Sequence, residues 1–151
     1  MLKTRSAGLW FGIAFLLAVT VGCGGPDLNA VTGTVTLDGE PLADALLVFT
    51  PMTGGRPAAA RTDANGKYKL VYTRNASGTI VGEHVVEITT GDELEMDDGT
   101  VEKIAEKVPA KYNLDSELRA NVEDGSNVFD FELLSEGEII EGSDLEATDQ
   151  Q

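Results

Sequence analysis

Histidine and cysteine are nearly absent from this sequence, which contains only His84 and Cys23. One residue of each type leaves no material for a metal cluster with His and Cys ligands or for a Cys–His catalytic dyad. The HExxH, GxSxG and GxxxxGK motifs are also missing. We therefore expect a protein that is not an enzyme, with no catalytic residues, no metal and no cofactor. A single cysteine also excludes an internal disulfide, so stability must come from the core.

Basic residues are scarce as well. The 151 residues include 11 Lys and Arg against 26 Asp and Glu, a formal net charge of -15. Phosphate binding depends on Lys and Arg, so nucleic acid is not expected as a partner. Anionic membrane surfaces should repel the chain too. The length suits one domain with tails and leaves no room for two substantial cores.

The sequence lacks an apolar run long enough to cross a membrane. Its longest candidate is LWFGIAFLLAVTV, residues 9–21, which follows the basic residues Lys3 and Arg5. A spanning helix needs about 20 apolar residues for roughly 30 Å of hydrocarbon, and this segment has fewer. A basic start followed by a short apolar stretch is typical of an export signal, so we predict a signal peptide over residues 1–22.

The end of this segment resembles the lipobox of bacterial lipoproteins. The residues concerned are VTVGC, 19–23, with Thr20 at a position where leucine is commonest. The resemblance implies that Cys23 becomes the first residue of the mature chain and carries a diacylglycerol on its sulfur. Two or three acyl chains would hold the protein at a bilayer that its own surface does not favour. The alternatives are an ordinary signal peptide with a chance cysteine and an uncleaved anchor.

Residues 23–29 then form the lipidated N-terminus and a short linker rich in glycine. In lipoproteins of this kind the residue after the cysteine influences sorting. Gly24 is not the aspartate that commonly retains such proteins in the inner membrane. The expected location is the bacterial envelope, with the lipid in the outer membrane and the domain facing the periplasm or the cell exterior.

Period-2 alternation dominates the middle of the chain. In VTGTVTL, residues 31–37, Val and Leu share one face and Thr the other, as in a strand with one buried side. The turn DANG, residues 63–66, predicts a hairpin between its flanking strands. Seven strands are predicted in total, over residues 31–37, 45–50, 58–62, 67–72, 83–89, 118–122 and 127–133. This pattern predicts an all-β fold, a single seven-stranded β-sandwich of Greek-key type.

The same residues resemble the carboxypeptidase regulatory-like domain, a prealbumin-like (transthyretin-like) sandwich frequent in small bacterial lipoproteins. The segments that carry the resemblance are 31–51, 61–70, 82–88 and 108–113. It implies a domain over residues 30–134 and says little about function. The side chains that it places inward are those of Ala45, Leu47, Phe49, Tyr68, Leu70, Val86, Ile88, Phe129, Phe131 and Leu133.

The resemblance also implies that Leu46 and Val48 face outward, where related domains more often carry polar residues. They are either covered by the loop after residue 90 or ordinary surface residues, or they form a small apolar patch for a partner. His84 alternates in step with Val86 and Ile88 and is expected to be a packed residue of the sandwich, with pH sensing as the alternative.

Two segments are strongly acidic. Residues 92–98 are expected to form a loop of solvated charge, because their spacing does not match an EF-hand-like Ca²⁺-binding loop, and Ca²⁺ binding is the alternative. Residues 135–151 carry six acids and no base, so a disordered tail is predicted. Solubility is its simplest role, and partner binding through Ile139 and Ile140 is the alternative.

Together these observations predict a non-enzymatic, membrane-anchored envelope lipoprotein that acts as a binding or scaffolding module. Its partners would be the membrane, through the lipid, and an envelope protein or glycan. A structural envelope component and an accessory subunit of a secreted enzyme are the alternatives.

Overall fold

The computed structural model describes residues 26–140. The predicted signal peptide, Cys23 and the last part of the acidic tail, residues 141–151, lie outside the described residues. The described chain forms short strands and one 3₁₀ turn (Ala110–Tyr112). The strands are β1 (Ala30–Leu37), β2 (Glu40–Pro41), β3 (Leu46–Pro51), β4 (Ala58–Arg61), β5 (Lys67–Lys69), β6 (Val71–Thr73), β7 (Ala76–Ser77), β8 (Gly82–Thr89), β9 (Asp92–Glu95), β10 (Val101–Ile104), β11 (Arg119–Val122), β12 (Ser126–Val128) and β13 (Phe131–Leu133).

The first sheet is built around β1. On one side β1 pairs antiparallel with β2 and β5, and on the other it pairs parallel with β12 and β13. The turn between β1 and β2 consists of Asp38 and Gly39, whose φ angles of 53° and 85° suit a two-residue hairpin. β1 is therefore a central strand with partners on both sides.

The second sheet has the order β11-β8-β3-β4-β6-β7. Its longest pairing joins β3 and β8, in antiparallel register from Leu46 opposite Thr89 to Pro51 opposite His84. β9 and β10 belong to neither sheet and pair only with each other among the described strands. We call this separate hairpin, residues 92–104, the arm.

The inner faces of the two sheets share one apolar core, which confirms the predicted all-β sandwich. Phe49 of the second sheet is fully buried, and its ring lies 6.2 Å from the Tyr68 and Phe131 rings of the first sheet. Nine of the ten side chains that the resemblance placed inward are buried, and the tenth, Phe129, packs against the core while partly exposed. The inner faces that the resemblance implied are therefore those of the structure.

The predicted strand 67–72 is divided between the two sheets. Lys67–Lys69 pairs with β1, whereas Val71 pairs with Ala59 in the second sheet. The chain crosses between the layers at Leu70, which is fully buried and donates its N–H to the Val31 carbonyl at 3.0 Å.

This crossing makes the predicted 58–72 hairpin wrong. The DANG turn forms, with Gly66 at φ 72° and Gly66 N–H donating to the Asp63 carbonyl at 2.9 Å. Its two flanking strands do not pair, because β4 lies in the second sheet between β3 and β6 while β5 lies in the first. The turn thus connects two layers instead of two neighbouring strands.

The predicted strand 127–133 is interrupted at Phe129 and Asp130. The Asp130 carboxylate accepts hydrogen bonds from the backbone N–H and the hydroxyl of Thr34, at 2.8 and 2.7 Å. The Phe129 carbonyl approaches β1 so closely that a Cβ on Gly33 would lie 1.8 Å from its oxygen. Tyr68 donates its hydroxyl to that same oxygen at 2.8 Å. Because Gly33 has no Cβ, the chain at Phe129 can come this close to β1 and interrupt the strand.

The two ends of the sandwich differ, and β1 connects them. At the N-terminal pole, Asn29 pairs with Thr79 and the Ala30 N–H donates to the Gly125 carbonyl at 3.0 Å. At the other end, the arm pole, β1 ends beside β13 and β8 ends at Thr89, just before the arm. The eight residues of β1 span roughly 26 Å, at about 3.3 Å per residue. The arm therefore lies at the opposite end of the domain from the N-terminal segment.

Candidate interaction site

Of the predicted site residues, Cys23 lies outside the described part of the chain, and Leu46 and Val48 lie on the outer face of the second sheet. Both are half-buried. Leu46 sits between Arg61 and Thr89 across the strands, and Val48 sits between Ala59 and Glu87. Val48, Ala59 and Val71 thus form a short apolar row across the outer face of the second sheet, with Arg61 and Glu87 beside it. A second group of apolar side chains, each more exposed than Leu46 and Val48, lies on the arm.

The acidic segment expected to be a loop forms the strand pair of the arm, which corrects that prediction. Its turn is closed by the Met96 N–H, which donates to the Thr100 carbonyl at 2.7 Å, and by Gly99 at φ 82°. Register places Leu94 opposite Glu102, and Asp92 opposite Ile104. Leu94 and Ile104 therefore share one face of the arm. The prediction missed this because the acids obscure an alternation of apolar residues on both sides of the turn.

The opposite face of the arm is polar and ionic. Lys103 and Glu93 form an ion pair there at 3.0 Å, with both side chains 63% exposed. Glu95 and Val101 are also opposite each other on this face. The Leu94 face carries three apolar side chains, Leu94, Met96 and Ile104, between Asp92 and Glu102, whereas the opposite face has Val101 among charged residues; we call the Leu94 face the aliphatic face.

A groove of about 740 Å³ lies between this aliphatic face and the turn formed by residues 41–44. Leu94 and Ile104 line one wall, and Pro41 and Leu42 line the other. Leu94 and Ile104 remain 43% and 39% exposed, so the groove is open to solvent along that wall. Exposed apolar side chains grouped in this way are a feature of interaction surfaces.

An ion pair crosses one end of the groove. Arg61 donates to the Asp92 carboxylate at 2.9 Å and to the Asp44 carbonyl at 2.8 Å. Because both partners of the Arg61–Asp92 pair are partly exposed, the pair contributes at most about 1 kcal/mol. It connects the arm to β4 and to the turn without fixing the arm firmly.

A buried carboxylate fixes the base of the arm. Glu106 accepts the backbone N–H groups of Thr90, Lys107 and Val108, each at 2.9 Å. It also accepts the Thr90 hydroxyl at 2.8 Å and the Thr89 hydroxyl. We call this set the carboxylate clamp. It joins the end of β8 to the chain that leaves the arm, and therefore sets where the arm lies.

The electrostatics of the clamp follow from these contacts. Burial alone would raise the pKa of the Glu106 carboxyl, but the hydrogen bonds from Thr89, Thr90 and Val108 outweigh it and hold the pKa below its usual value. Glu106 is therefore an ionised group at neutral pH. No sequence pattern distinguished it from its exposed neighbours.

His84 lies at the N-terminal pole and is fully buried, packed as expected. Its Nδ1 is 2.9 Å from the Gly82 carbonyl, so Nδ1 carries the proton, and Nε2 accepts the Thr79 hydroxyl at 3.1 Å. Burial lowers the pKa of the imidazole, partly offset by the Gly82 carbonyl. The ring is therefore neutral in the folded protein at neutral pH.

The first residues of the acidic tail are hydrogen-bonded to the domain. Ser135 N–H donates to the Asp38 carboxylate at 3.0 Å, and Ala110 N–H donates to the Glu138 carbonyl at 2.8 Å. Ile139 is exposed and Ile140 half-buried. The predicted domain end at residue 134 thus falls before the last of these contacts.

Within residues 26–140, no group of three or more His, Cys, Asp or Glu side chains is placed to hold a metal ion. In the same part of the chain, no helix has both the length and the hydropathy needed to span a bilayer.

No protein-family model and no curated protein matches this chain. Among solved structures, the chain is similar to a 9R-lipoxygenase from Cyanothece PCC8801, with 16% identity and a TM-score of 0.41 over 71% of this chain and 16% of that one. It is also similar to a DUF3823 family protein from Parabacteroides merdae ATCC 43184, with 14% identity and a TM-score of 0.39 over 72% of this chain and 47% of that one. The chain thus spans less than half the length of either protein. These likenesses carry no argument about function.

Proposed function

We propose that this protein is a non-enzymatic lipoprotein of the bacterial envelope, anchored through an acylated Cys23, which presents a binding module to the space beyond the membrane. We further propose that its sandwich is of the carboxypeptidase regulatory-like, prealbumin-like type. The signal-peptide and lipobox patterns of residues 1–23 support the anchor, and the strand pattern of residues 31–133 supports the domain type.

The observation that carries the binding function is that the tether and the groove lie at opposite ends of the sandwich. The tether joins the domain at Ala30, at the N-terminal pole, while the groove and the arm lie at the other end of β1. Seven peptide bonds join Cys23 to Ala30, so the tether reaches at most about 25 Å when extended. With β1 adding roughly 26 Å, the arm would be held tens of ångströms from the lipid. A partner could approach it there without meeting the bilayer.

Metabolic labelling tests the anchor. Cells producing the chain are fed an alkyne fatty acid, and the wild-type protein is compared with Cys23→Ser. We expect label on the wild type in the outer-membrane fraction and none on the variant, which should accumulate as unprocessed precursor. An unlabelled wild-type protein recovered in soluble fractions would contradict the proposal.

A further inference from the structure

We propose that the groove between the arm and the 41–44 turn binds an extended segment of a partner protein in which basic residues alternate with apolar ones. This inference deepens the proposed binding function and rests on it, but it is independent of the lipid anchor. The acidic sandwich domain is the receptor, and the partner supplies the positive charge.

The arm contributes little to the core of the domain. Leu94, Met96 and Ile104 keep about two-fifths of their surface exposed, although a two-stranded hairpin alone is marginally stable in water. Glu106 nevertheless holds the base of this arm with several hydrogen bonds from buried or half-buried donors. A projection that is positioned precisely and leaves its aliphatic side chains exposed is suited to contact another molecule.

The shape of the groove favours an extended polypeptide. A small-molecule pocket encloses most of its ligand, whereas here Leu94, Ile104 and Pro41 stand exposed along the walls. The lining contains no aromatic ring on which a sugar could stack, which disfavours a glycan. An extended chain places alternate side chains on one side, so apolar residues at every second position can reach the aliphatic walls.

The charges around the groove favour a partner with basic residues. On the groove face of the arm lie Asp92 and Glu102, and on the opposite wall Asp44 lines the groove with Glu40 just before it in the chain. The groove lining also contains two basic side chains, Arg61, which is already paired with Asp92, and Lys107. A second copy of this chain, with a net charge of -15, would be repelled. A segment whose outward side chains are Lys or Arg would be attracted to these carboxylates while its apolar side chains enter the groove.

Fluorescence anisotropy tests the inference with the full chain purified in detergent. The probe is a labelled octapeptide of alternating Lys and Val, compared with peptides of alternating Lys and Ser and of alternating Glu and Val. We expect saturable binding of the Lys–Val peptide alone, and weaker binding as NaCl is raised from about 50 to 300 mM. Equal binding of the Lys–Ser peptide would overturn the inference, since charge attraction alone would explain it.

Two matched variants locate the site. The double variant Leu94→Ser with Ile104→Ser changes exposed residues on the groove face, and Val101→Ser changes a residue 55% exposed on the other face. We expect at least tenfold weaker binding of the Lys–Val peptide to the first and no change with the second. Equal losses in both, or in neither, would overturn the inference, and circular dichroism checks that both variants are folded.

The remaining controls separate the proposals. If the chain forms dimers by light scattering that the Leu94→Ser, Ile104→Ser variant loses, the occupant is a second copy and the inference is wrong. If both the wild type and Cys23→Ser bind the Lys–Val peptide while the wild type carries no fatty-acid label, the peptide-binding groove is supported and the lipid anchor is wrong. Labelled protein that binds no peptide would support the lipid anchor and overturn the peptide-binding groove.

Discussion

The two poles of the sandwich each contain a buried titratable group, and at neutral pH one of these groups is uncharged while the other is ionised. At the N-terminal pole His84 is neutral, because it is buried and its two nitrogens meet only the Thr79 hydroxyl and the Gly82 carbonyl. At the arm pole Glu106 is ionised, because several N–H and O–H donors converge on its carboxylate.

This difference in charge reflects two ways of attaching a segment to the sandwich, one for the N-terminal segment and one for the arm. The N-terminal pole receives the incoming chain through neutral backbone pairing between Asn29 and Thr79. The arm pole must hold a hairpin that buries little apolar surface, so hydrogen bonds to a charge take the place of packing. The arm should therefore be more sensitive than the sandwich to the loss of one side chain.

The largest effect is expected from Glu106→Ala. Removing the carboxylate leaves the N–H groups of Thr90 and Val108 without their acceptor, which costs on the order of 3 kcal/mol. The amides around the clamp should then exchange about 100-fold faster in hydrogen-exchange measurements, while those of β3 and β8 stay protected. Glu102→Ala, which removes an exposed acid of the same arm, is the matched control and should change exchange little. Unchanged exchange at Thr90 and Val108 would show that the clamp does not hold the arm.

A pH titration should separate the two poles. Because the pKa of His84 is lowered in the folded state, the unfolded chain binds its proton first, and stability is lost as pH falls below the ordinary imidazole value of 6.5. The pKa of Glu106 is also lowered, so its contribution is present above the ordinary value of 4.5 and is lost as pH falls through the folded value. Between pH 7 and 5.5 only the N-terminal pole should weaken.

The single histidine makes this measurable, because its ring gives one set of NMR signals. We expect the His84 ring to titrate below the ordinary imidazole value of 6.5. The Glu106→Gln variant should lose the additional decline in stability below about pH 4.5 while keeping the His84 response. A His84 ring that titrates at 6.5 or above would contradict the neutral assignment.

The smallest effect is expected from Arg61→Ala. The ion pair with Asp92 is partly exposed, so the free energy of unfolding in urea should fall by less than about 1 kcal/mol. Lys103→Ala, which breaks the more exposed pair with Glu93 on the other face, is the control and should change less still. A loss as large as that of Glu106→Ala would mean that the ion pair, and not the clamp, positions the arm.

Alternation was sufficient to predict an all-β sandwich because the apolar side chains of the core repeat at the strand period. Val31 and Val35, Leu47 and Phe49, and Val86 and Ile88 each repeat at the strand period and lie inside. The outward direction of Leu46 and Val48 was implied by the resemblance to the carboxypeptidase regulatory-like domain, and both lie half-buried on the outer face. What alternation cannot show is which sheet a strand joins, and so the crossing at Leu70 was missed.

The candidate site was harder to predict, since it depends on contacts between distant residues. Glu106 has no local feature that marks it as buried, and its role emerges only when β8 brings Thr89 and Thr90 beside it. The arm did carry a local signal, an Asp98–Gly99 turn between Leu94 and Ile104, that composition obscured. The break at Phe129 likewise depends on Gly33, almost 100 residues earlier.

The central place of β1 has a mechanical consequence. When the chain ahead of Ala30 is pulled along the axis of β1, the hydrogen bonds of β1 to β5 on one side and to β12 and β13 on the other lie across the direction of the force. These bonds share the load and must rupture together, not one after another as in a zipper opened from its end. A tether fixed at this strand could therefore transmit tension to the domain without unravelling it.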